Sequence, residues 1–337
     1  MLKYTYNIKK EGLTMFQSSI QIGTTIRYLR KQNNLTQEQL AKDICSTKYI
    51  YTLEKNLCSP TTNILTRLSE KLKVDIYSCY QNMCQAGSID TYEKLELLSE
   101  TMGRLDTLTA YHYAQEWKDL PSFHLDHPMQ CLQYVFSSYA LYQKDYQTAI
   151  QYALQGLQIN HSELTESNIT TQKDLPFSNI ELLLINCIAV SYSKQKDFTY
   201  AYSILRYLIN YLRPYTKLSN AAIHQSYHFH ITFFCMIITN LLYIQHTLGY
   251  TEDSLTLLDE AINICKRLCY SNSLYVLLEE KAIYHYKQKN LPTAKQLFEQ
   301  ASVLQLYSPK SEQPPQEYLQ NLQKKYPDCF TNTTSSF

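Results

Sequence analysis

Glycine is scarce, with six residues in a chain of 337. So few leave no glycine-rich loop to cradle a phosphate and no G-x-S-x-G turn to present a nucleophile, and H-E-x-x-H is missing as well. An enzyme has little to be built from here, and neither a cofactor nor a metal is expected. The ten cysteines form no C-x-x-C pair and no regular framework. Cys131, Cys187, Cys235 and Cys265 fall among apolar residues of predicted helices, the pattern of reduced, buried thiols in a cytoplasmic protein. Long hydrophobic runs are missing too. The most apolar one, Ile231 to Ile244, is fourteen residues and holds Asn240, short of the ~20 that span a bilayer. The N-terminus has lysines without the apolar stretch of a secretion signal. Strand-like alternation is absent, so the expected class is all-α, with no membrane span.

Charge is nearly balanced at +1, but it is unevenly placed. Residues 20–80 carry nine Lys/Arg against five Asp/Glu, a net of +4, whereas residues 81–337 carry nineteen against twenty-four, a net of −5. The basic segment is the one suited to meet phosphate. Within it, Leu35, Leu40, Ala41 and Ile44 recur at helical spacing, opened by Thr36 with Gln39 three residues on, the pairing of a capping box. Ser46 is a good N-cap for a second helix in which Ile50 and Leu53 point inward. Thr47, Lys48, Tyr49, Tyr51 and Thr52 are left on its outer face. Ile22, Ile26 and Leu29 mark a helix before this pair, and Leu65, Leu68 and Leu72 one after it. Two short helices joined by a tight turn inside a small helical domain are the sequence form of a helix-turn-helix.

The run Ile22-Gly23, Arg27, Leu29-Arg30, Leu35-Thr36-Gln37-Glu38, Leu40-Ala41, Ser46, Ile50, Glu54, Pro60-Thr61, Leu65, Leu68, Leu72, Val74 resembles the repressor-type (XRE) DNA-binding domain. The turn from Ile44 to Ile50 is closer to the peptide-responsive Gram-positive regulators of the RRNPP (PlcR-like/Rgg-like) family. The resemblance implies DNA contact by Thr47, Lys48 and Tyr51, with Tyr49 and Thr52 beside them, charge from Lys55 and Arg27, and a phosphate-contacting role for Gln37. It assigns Arg30 and Glu54 to an internal ion pair. Asn56 stands where the family usually has glycine, and Asn tolerates the left-handed conformation better than most residues.

From Ile89 on, helices come in pairs. Lys144-Asp145-Tyr146-x-x-Ala149, Lys196-Asp197-Phe198-x-x-Ala201, Leu248-Gly249 leading to Ser254, and Lys289-Asn290-Leu291-x-x-Ala294 repeat one turn. Its small residue lets two helices approach closely. Leu205, Leu258 and Phe298 four places later, with Ala261 and Ala301 at seven, fill the contact to the next pair. This is tetratricopeptide (TPR) logic, an α-solenoid of stacked helical pairs. The spacings of 52, 53 and 40 between the small residues make these degenerate repeats, stretched by loops such as Asn160 to Ser178. An earlier pair, Thr91 to Met102 and Leu105 to Trp117, begins the array, and Pro314 to Lys325 is a candidate capping helix.

In such an array the first helix of each pair lines one face. Counting back from each small residue puts Tyr134, Ser138, Asn186, Ser193, Asn240, Tyr243, His246, Glu279 and Tyr286 on or near it. The asparagines resemble those with which the family clamps a peptide backbone, since an amide both donates and accepts. The other reading is that Asn186 and Asn240 hydrogen-bond only within the stack. His224, His228 and His230 have helical spacing suited to metal, as do Cys265 and Cys269. No further ligand type falls within the same turns, so no metal site is expected.

The expected organisation is an N-terminal extension at 1–19, with translation starting at Met15, then a helix-turn-helix DNA-binding domain at 20–80. A linker at 81–88 leads to a TPR-like peptide-sensing domain at 89–325 and a frayed tail at 326–337. The expected protein is a cytoplasmic, homodimeric transcription regulator that binds an inverted-repeat operator in double-stranded DNA and senses a short signalling peptide, as in quorum sensing. The alternatives are a phage- or mobile-element-type repressor controlled by a protein partner, and a TPR adaptor whose DNA-binding domain is vestigial.

Overall fold

The computed structural model describes residues 20–172, 175–249, 253–268, 271–305 and 315–330. The extension 1–19, Cys269 and the end of the tail at 331–337 lie outside them. No strand occurs among the described residues, and the chain divides into two compact units, one through Val135 and one from Phe136.

The first unit opens with α1 (Ile22–Gln32), α2 (Gln37–Ala41), α3 (Thr47–Glu54), α4 (Thr62–Leu72) and α5 (Ile76–Ala86). Local side chains set their ends. Thr36 Oγ1 accepts the Gln39 N–H at 3.0 Å and Gln39 Oε1 accepts the Thr36 N–H at 2.7 Å, the capping box read from the sequence. Ser46 Oγ accepts the Tyr49 N–H at 3.2 Å and starts α3. Ile26, Leu40, Ile50, Leu53, Leu68 and Ile76 are wholly buried between these helices. Gly23 is required by a close approach: a Cβ there would lie 1.8 Å from the Leu53 carbonyl oxygen. Asn56 does adopt the left-handed conformation, with φ 56°, and its Nδ2 donates to Thr24 Oγ1 at 3.0 Å.

The stretch expected as a linker, 81–88, is helical through Ala86. Gly87, with φ 77°, closes α5, and Ser88 Oγ accepts the Thr91 N–H at 3.0 Å to start α6 (Ile89–Gly103). Small residues there serve as a left-handed C-cap followed by an N-cap. α7 (Thr107–Trp117) pairs with α6, and the division between the units falls inside α8 (Asp126–Tyr142) instead of at residues 81–88.

The second unit continues with α9 (Tyr146–Gln158), α10 (Asn179–Lys194), α11 (Phe198–Leu212), α12 (Asn220–Ala222), α13 (His228–Leu248), α14 (Ser254–Leu268), α15 (Ser271–Lys287), α16 (Leu291–Gln305) and α17 (Pro315–Lys325). Ala149, Ala201, Ser254 and Ala294 are completely buried, as are Leu258, Phe298, Ala261 and Ala301, so the expected small residues do seat the second helix of each pair. Lys144 (φ 63°), Lys196 (68°) and Lys289 (60°) turn the chain through the left-handed region. Asp145 and Asp197 then cap α9 and α11 by accepting the Thr148 and Tyr200 N–H groups at 3.2 and 3.1 Å. The first unit uses the same turn: Leu105 has φ 64°, Asp106 accepts the Thr109 N–H at 3.1 Å, and Ala110 is buried. The long loop after α9 is anchored by buried Glu181, which accepts from Asn160 Nδ2 at 2.9 Å and the Ser178 N–H at 2.7 Å.

The apolar run read as fourteen residues lies in a helix of 21, α13, which has the length and composition of a membrane span. Ile231, Phe233, Phe234, Ile237, Ile238, Leu241, Leu242 and Ile244 are all buried, and the helix packs on α10, α11, α14 and α15. It is the core helix of the stack. The expected frayed tail is partly ordered by packing: Tyr326 and Cys329 are buried against the α15–α16 pair, with the Tyr326 ring stacked 4.9 Å from that of Phe298.

Candidate nucleic-acid face and ligand groove

On α3, burial of Ile50, Leu53 and Glu54 turns the opposite side outward. Thr47, Lys48 and Tyr51 are exposed, and Thr47 and Lys48 have no side-chain polar partner among the described residues. Tyr51 is 48% exposed, and the Lys55 Nζ lies 5.9 Å from its ring centroid, so ring and cation form one surface. Arg27 on α1 is also exposed. Tyr49 and Thr52 are half-buried. The Tyr49 ring packs on the core of this domain and its hydroxyl donates to the Ser59 carbonyl at 3.4 Å, while Thr52 Oγ1 donates to the Tyr49 carbonyl at 2.8 Å.

Arg30 and Glu54 form the expected internal pair. Arg30 Nε and Nη2 donate to the two Glu54 oxygens at 2.5 and 2.9 Å, and Arg30 Nη1 donates to the Leu35 carbonyl at 2.7 Å. Gln37 belongs to this network: its Nε2 donates to Glu54 Oε2 at 2.9 Å. Burial pulls the Glu54 carboxyl upward, yet the hydrogen bonds from Arg30 and Gln37 and the charge of Arg30 outweigh it and hold the group below its ordinary value. The network fixes α1 and the start of α2 to the end of α3, and thereby aims the exposed face.

In the second unit, α13 packs against both α10 and α15. Asn240 Nδ2 on α13 donates to Asn186 Oδ1 on α10 at 3.1 Å. The bond uses one Asn240 N–H and the Asn186 oxygen, and leaves Asn240 Oδ1 and the Asn186 amino group without protein partners among the described residues. Turning both amides over exchanges their roles and still leaves one of each, the complement of a peptide unit. Beside the pair lies a cavity of about 230 Å³. Its lining comes from Ala189, Val190, Ser193 and Lys194 of α10, Leu205 of α11, Thr239, Asn240 and Tyr243 of α13, and Glu280 of α15. The Lys194 Nζ lies 5.1 Å from the Tyr243 ring centroid, and Glu280 Oε2 is 2.7 Å from His246 Nε2.

Of the residues expected on this face, the structure gathers Ser193, Asn240 and Tyr243 at the cavity, with Asn186 and His246 bonded to its rim. Ser138 contacts Cys187 Sγ at 3.9 Å, away from this cavity, and Tyr134 belongs to the first unit. Glu279 and Tyr286 are not brought to it: Tyr318 of α17 donates to Glu279, and Tyr286 donates to Asp328 at 3.1 Å. The reason is their place in the stack. The position fifteen before the small residue faces the next pair along, as Asn186 on α10 faces α13, and for α15 that neighbour is the cap α17. Glu280, one residue on, looks back to α13. It shares its offset from the small residue with Asn240, the signal by which it was legible. Lys194 and Thr239 were missed because each adjoins a residue chosen by counting.

His230 packs against the Tyr215 ring at 4.3 Å, and burial holds its imidazole below the ordinary value. No group of three His, Cys, Asp or Glu side chains among the described residues is arranged to hold a metal ion. Cys187, Cys235 and Cys265 are buried free thiols, whereas Cys131 is half-buried.

Residues 26–78 match the helix-turn-helix family profile. No curated protein sequence matches the chain. Among solved structures, the chain is similar to Bacillus thuringiensis PlcR in complex with the peptide PapR7 and DNA, at 18% identity and a TM-score of 0.59, over 93% of this chain and 100% of that one. It is similar to the apo form of ComR from S. thermophilus, at 14% identity and a TM-score of 0.50, over 92% and 99% of the two chains. The Streptococcus dysgalactiae SHP pheromone receptor Rgg2 gives 13% identity and a TM-score of 0.50, over 90% and 100%. At these identities the likeness is one of fold, and it runs along nearly the whole of each chain.

Proposed function

We propose that this chain, with its helix-turn-helix domain ahead of a repeat region and the whole-length fold of the RRNPP-type regulators, is a DNA-binding transcriptional regulator whose repeat region senses a short peptide. The observation that carries this reading is the pairing, in one chain, of an exposed Thr47–Lys48–Tyr51 face with an amide pair that leaves one donor and one acceptor beside a cavity. The first suits base edges and phosphates in a major groove, and the second suits a peptide unit irrespective of its side chain. PlcR, of like fold, has been seen with both a peptide and DNA. The DNA-binding part is residues 20–80, and the sensing part is residues 89–325. One basic domain of this size contacts too little DNA for tight selective binding. Two copies reading an inverted repeat, with half-sites about 10 to 10.5 bp apart or a multiple of that, supply the rest.

The test is selection of duplexes from a random pool by the full-length protein, followed by competition binding at fixed salt. Lys48→Ala is expected to weaken the selected site by about 1–3 kcal/mol and to spare scrambled duplexes, as a base contact does. Lys55→Ala is expected to weaken all duplexes alike. Failure to select any duplex at low salt overturns the DNA half of the proposal. Peptide sensing is tested by calorimetry with short exported peptides encoded beside the gene, on wild type and Asn240→Ala. A peptide that binds both equally removes the amide pair from the site.

A further inference from the structure

The cavity beside the amide pair holds one cation. Lys194, an exposed residue, has no carboxylate partner among the described residues, and its amino group lies 5.1 Å from the centroid of the Tyr243 ring, itself 52% exposed. An ammonium placed on an aromatic face is already oriented, so an arriving anion has less ordering to impose. The carboxylate in the lining, Glu280, is on the α15 side, 2.7 Å from His246. It repels an anion from that side and leaves the α10 side for it. The floor is apolar, from Ala189, Val190 and Leu205. At about 230 Å³ the cavity falls below the ~300–1,000 Å³ of pockets that hold whole small ligands. It is sized for one side chain.

Resting on the peptide-sensor reading, we infer that this site takes the free C-terminal end of the peptide. The terminal α-carboxylate pairs with Lys194, and the apolar side chain of the last residue enters the cavity. An internal Asp or Glu brings the charge but leaves the apolar floor unfilled; a terminal residue supplies both groups from one Cα. This also sets the chain polarity. Asn186 lies eight residues before Lys194 on α10, about 12 Å along the axis at 1.5 Å per residue. An extended peptide covers that distance in roughly three to four residues. Asn240 itself lines the cavity and Asn186 is bonded to it, so the pair engages a peptide unit within the last three or four residues of the chain.

The probe is a pool of synthetic N-acetylated heptapeptides, degenerate at the first six positions and ending in Leu or Phe, made once as free acids and once as C-terminal amides. Full-length protein is equilibrated with both pools together, and retained peptides are quantified by mass spectrometry. Free acids are expected to be retained over the matching amides by about tenfold or more, the strength of a charge-assisted hydrogen bond. Lys194→Gln is expected to abolish that preference. A lysine that only stabilises the last turn of α10 would instead shift the melting temperature and leave the acid-to-amide ratio unchanged, which overturns the assignment. Equal retention of acids and amides by the wild type likewise overturns it, while leaving peptide sensing intact. Retention no greater than on an unrelated protein overturns both.

Discussion

The two units place functional side chains by different means. The outer face of α3 is set by neighbours close in sequence and by one bound network: the Ser46 cap, the buried Ile50 and Leu53, and the Arg30–Glu54–Gln37 cluster. The groove draws its lining from residues as far apart as Ala189 and Glu280. There each helix takes its rotation from its own turn, and its neighbour from its place in the stack. A site of the first kind tolerates irregular loops elsewhere in the chain. A site of the second kind inherits every one of them.

If the DNA-binding face depends on one buried network, breaking that network should give the largest effect. Glu54→Ala leaves Arg30 and Gln37 without their acceptor, and removing one partner of a buried pair costs about 3–5 kcal/mol. Glu54 and Arg30 have side chains only 3% and 12% exposed, so solvent screens the pair little. Thermal unfolding should show destabilisation of the first unit, with peptide retention by the second unchanged. The pH dependence gives a second readout. Because the folded carboxyl lies below its unfolded value, its contribution is complete above that unfolded value, about 4.3, and is lost as pH falls through the lower folded one. The variant should lack this part of the acid limb. An unchanged acid limb would show that Glu54 does not carry it.

The corresponding break in the second unit is at the contact of two paired helices. Ala201 is wholly buried where α10 and α11 meet, and Ala201→Leu is expected to cost about 1–3 kcal/mol in denaturant unfolding, the range for overpacking. That these small residues were legible at all has a physical cause: close approach of two helices admits few residue types, so the position survives when spacing does not. The caps of α2 and α3 and the left-handed Asn56 were legible for a like reason, since each depends on residues within a few positions. The direction faced by Glu279 and Tyr286 was not, because it is decided by α17 and the turn after it, segments that no count within the repeat brings into view. For Gln37 the place at a helix N-terminus is local information, whereas its bond to Glu54 is not, since that acceptor lies seventeen residues away.

A smaller effect tests whether the amide pair acts as one device. Asn240→Ala removes the hydrogen bond to Asn186, for about 1 kcal/mol of stability. If the pair clamps ligand together, a double-mutant cycle on peptide retention with Asn186→Ala and Asn240→Ala should be non-additive, as for residues sharing a hydrogen bond. Additive losses would mean that the two amides act separately.

The smallest effect brings the two units back to the device they share. Leu105 in the first unit and Lys196 in the second both sit in the left-handed region, at φ 64° and 68°, ahead of a capping aspartate. A residue with a Cβ is strained there by about 1–2 kcal/mol. Glycine removes that strain and loses about 0.5–1 kcal/mol through the greater freedom of its unfolded chain. Leu105 is 68% exposed and Lys196 is also on the surface, so little packing is given up. Leu105→Gly and Lys196→Gly are each expected to stabilise by about 0.5–1 kcal/mol in denaturant unfolding. Gly249 already stands at the α13–α14 turn with φ 100°. Equal gains at the two sites would mean that one turn geometry is used in both units with the same energetics. A gain at Lys196 and a loss at Leu105 would instead mean that the Leu105 side chain has contacts of its own, and the likeness of the turns would be one of backbone only.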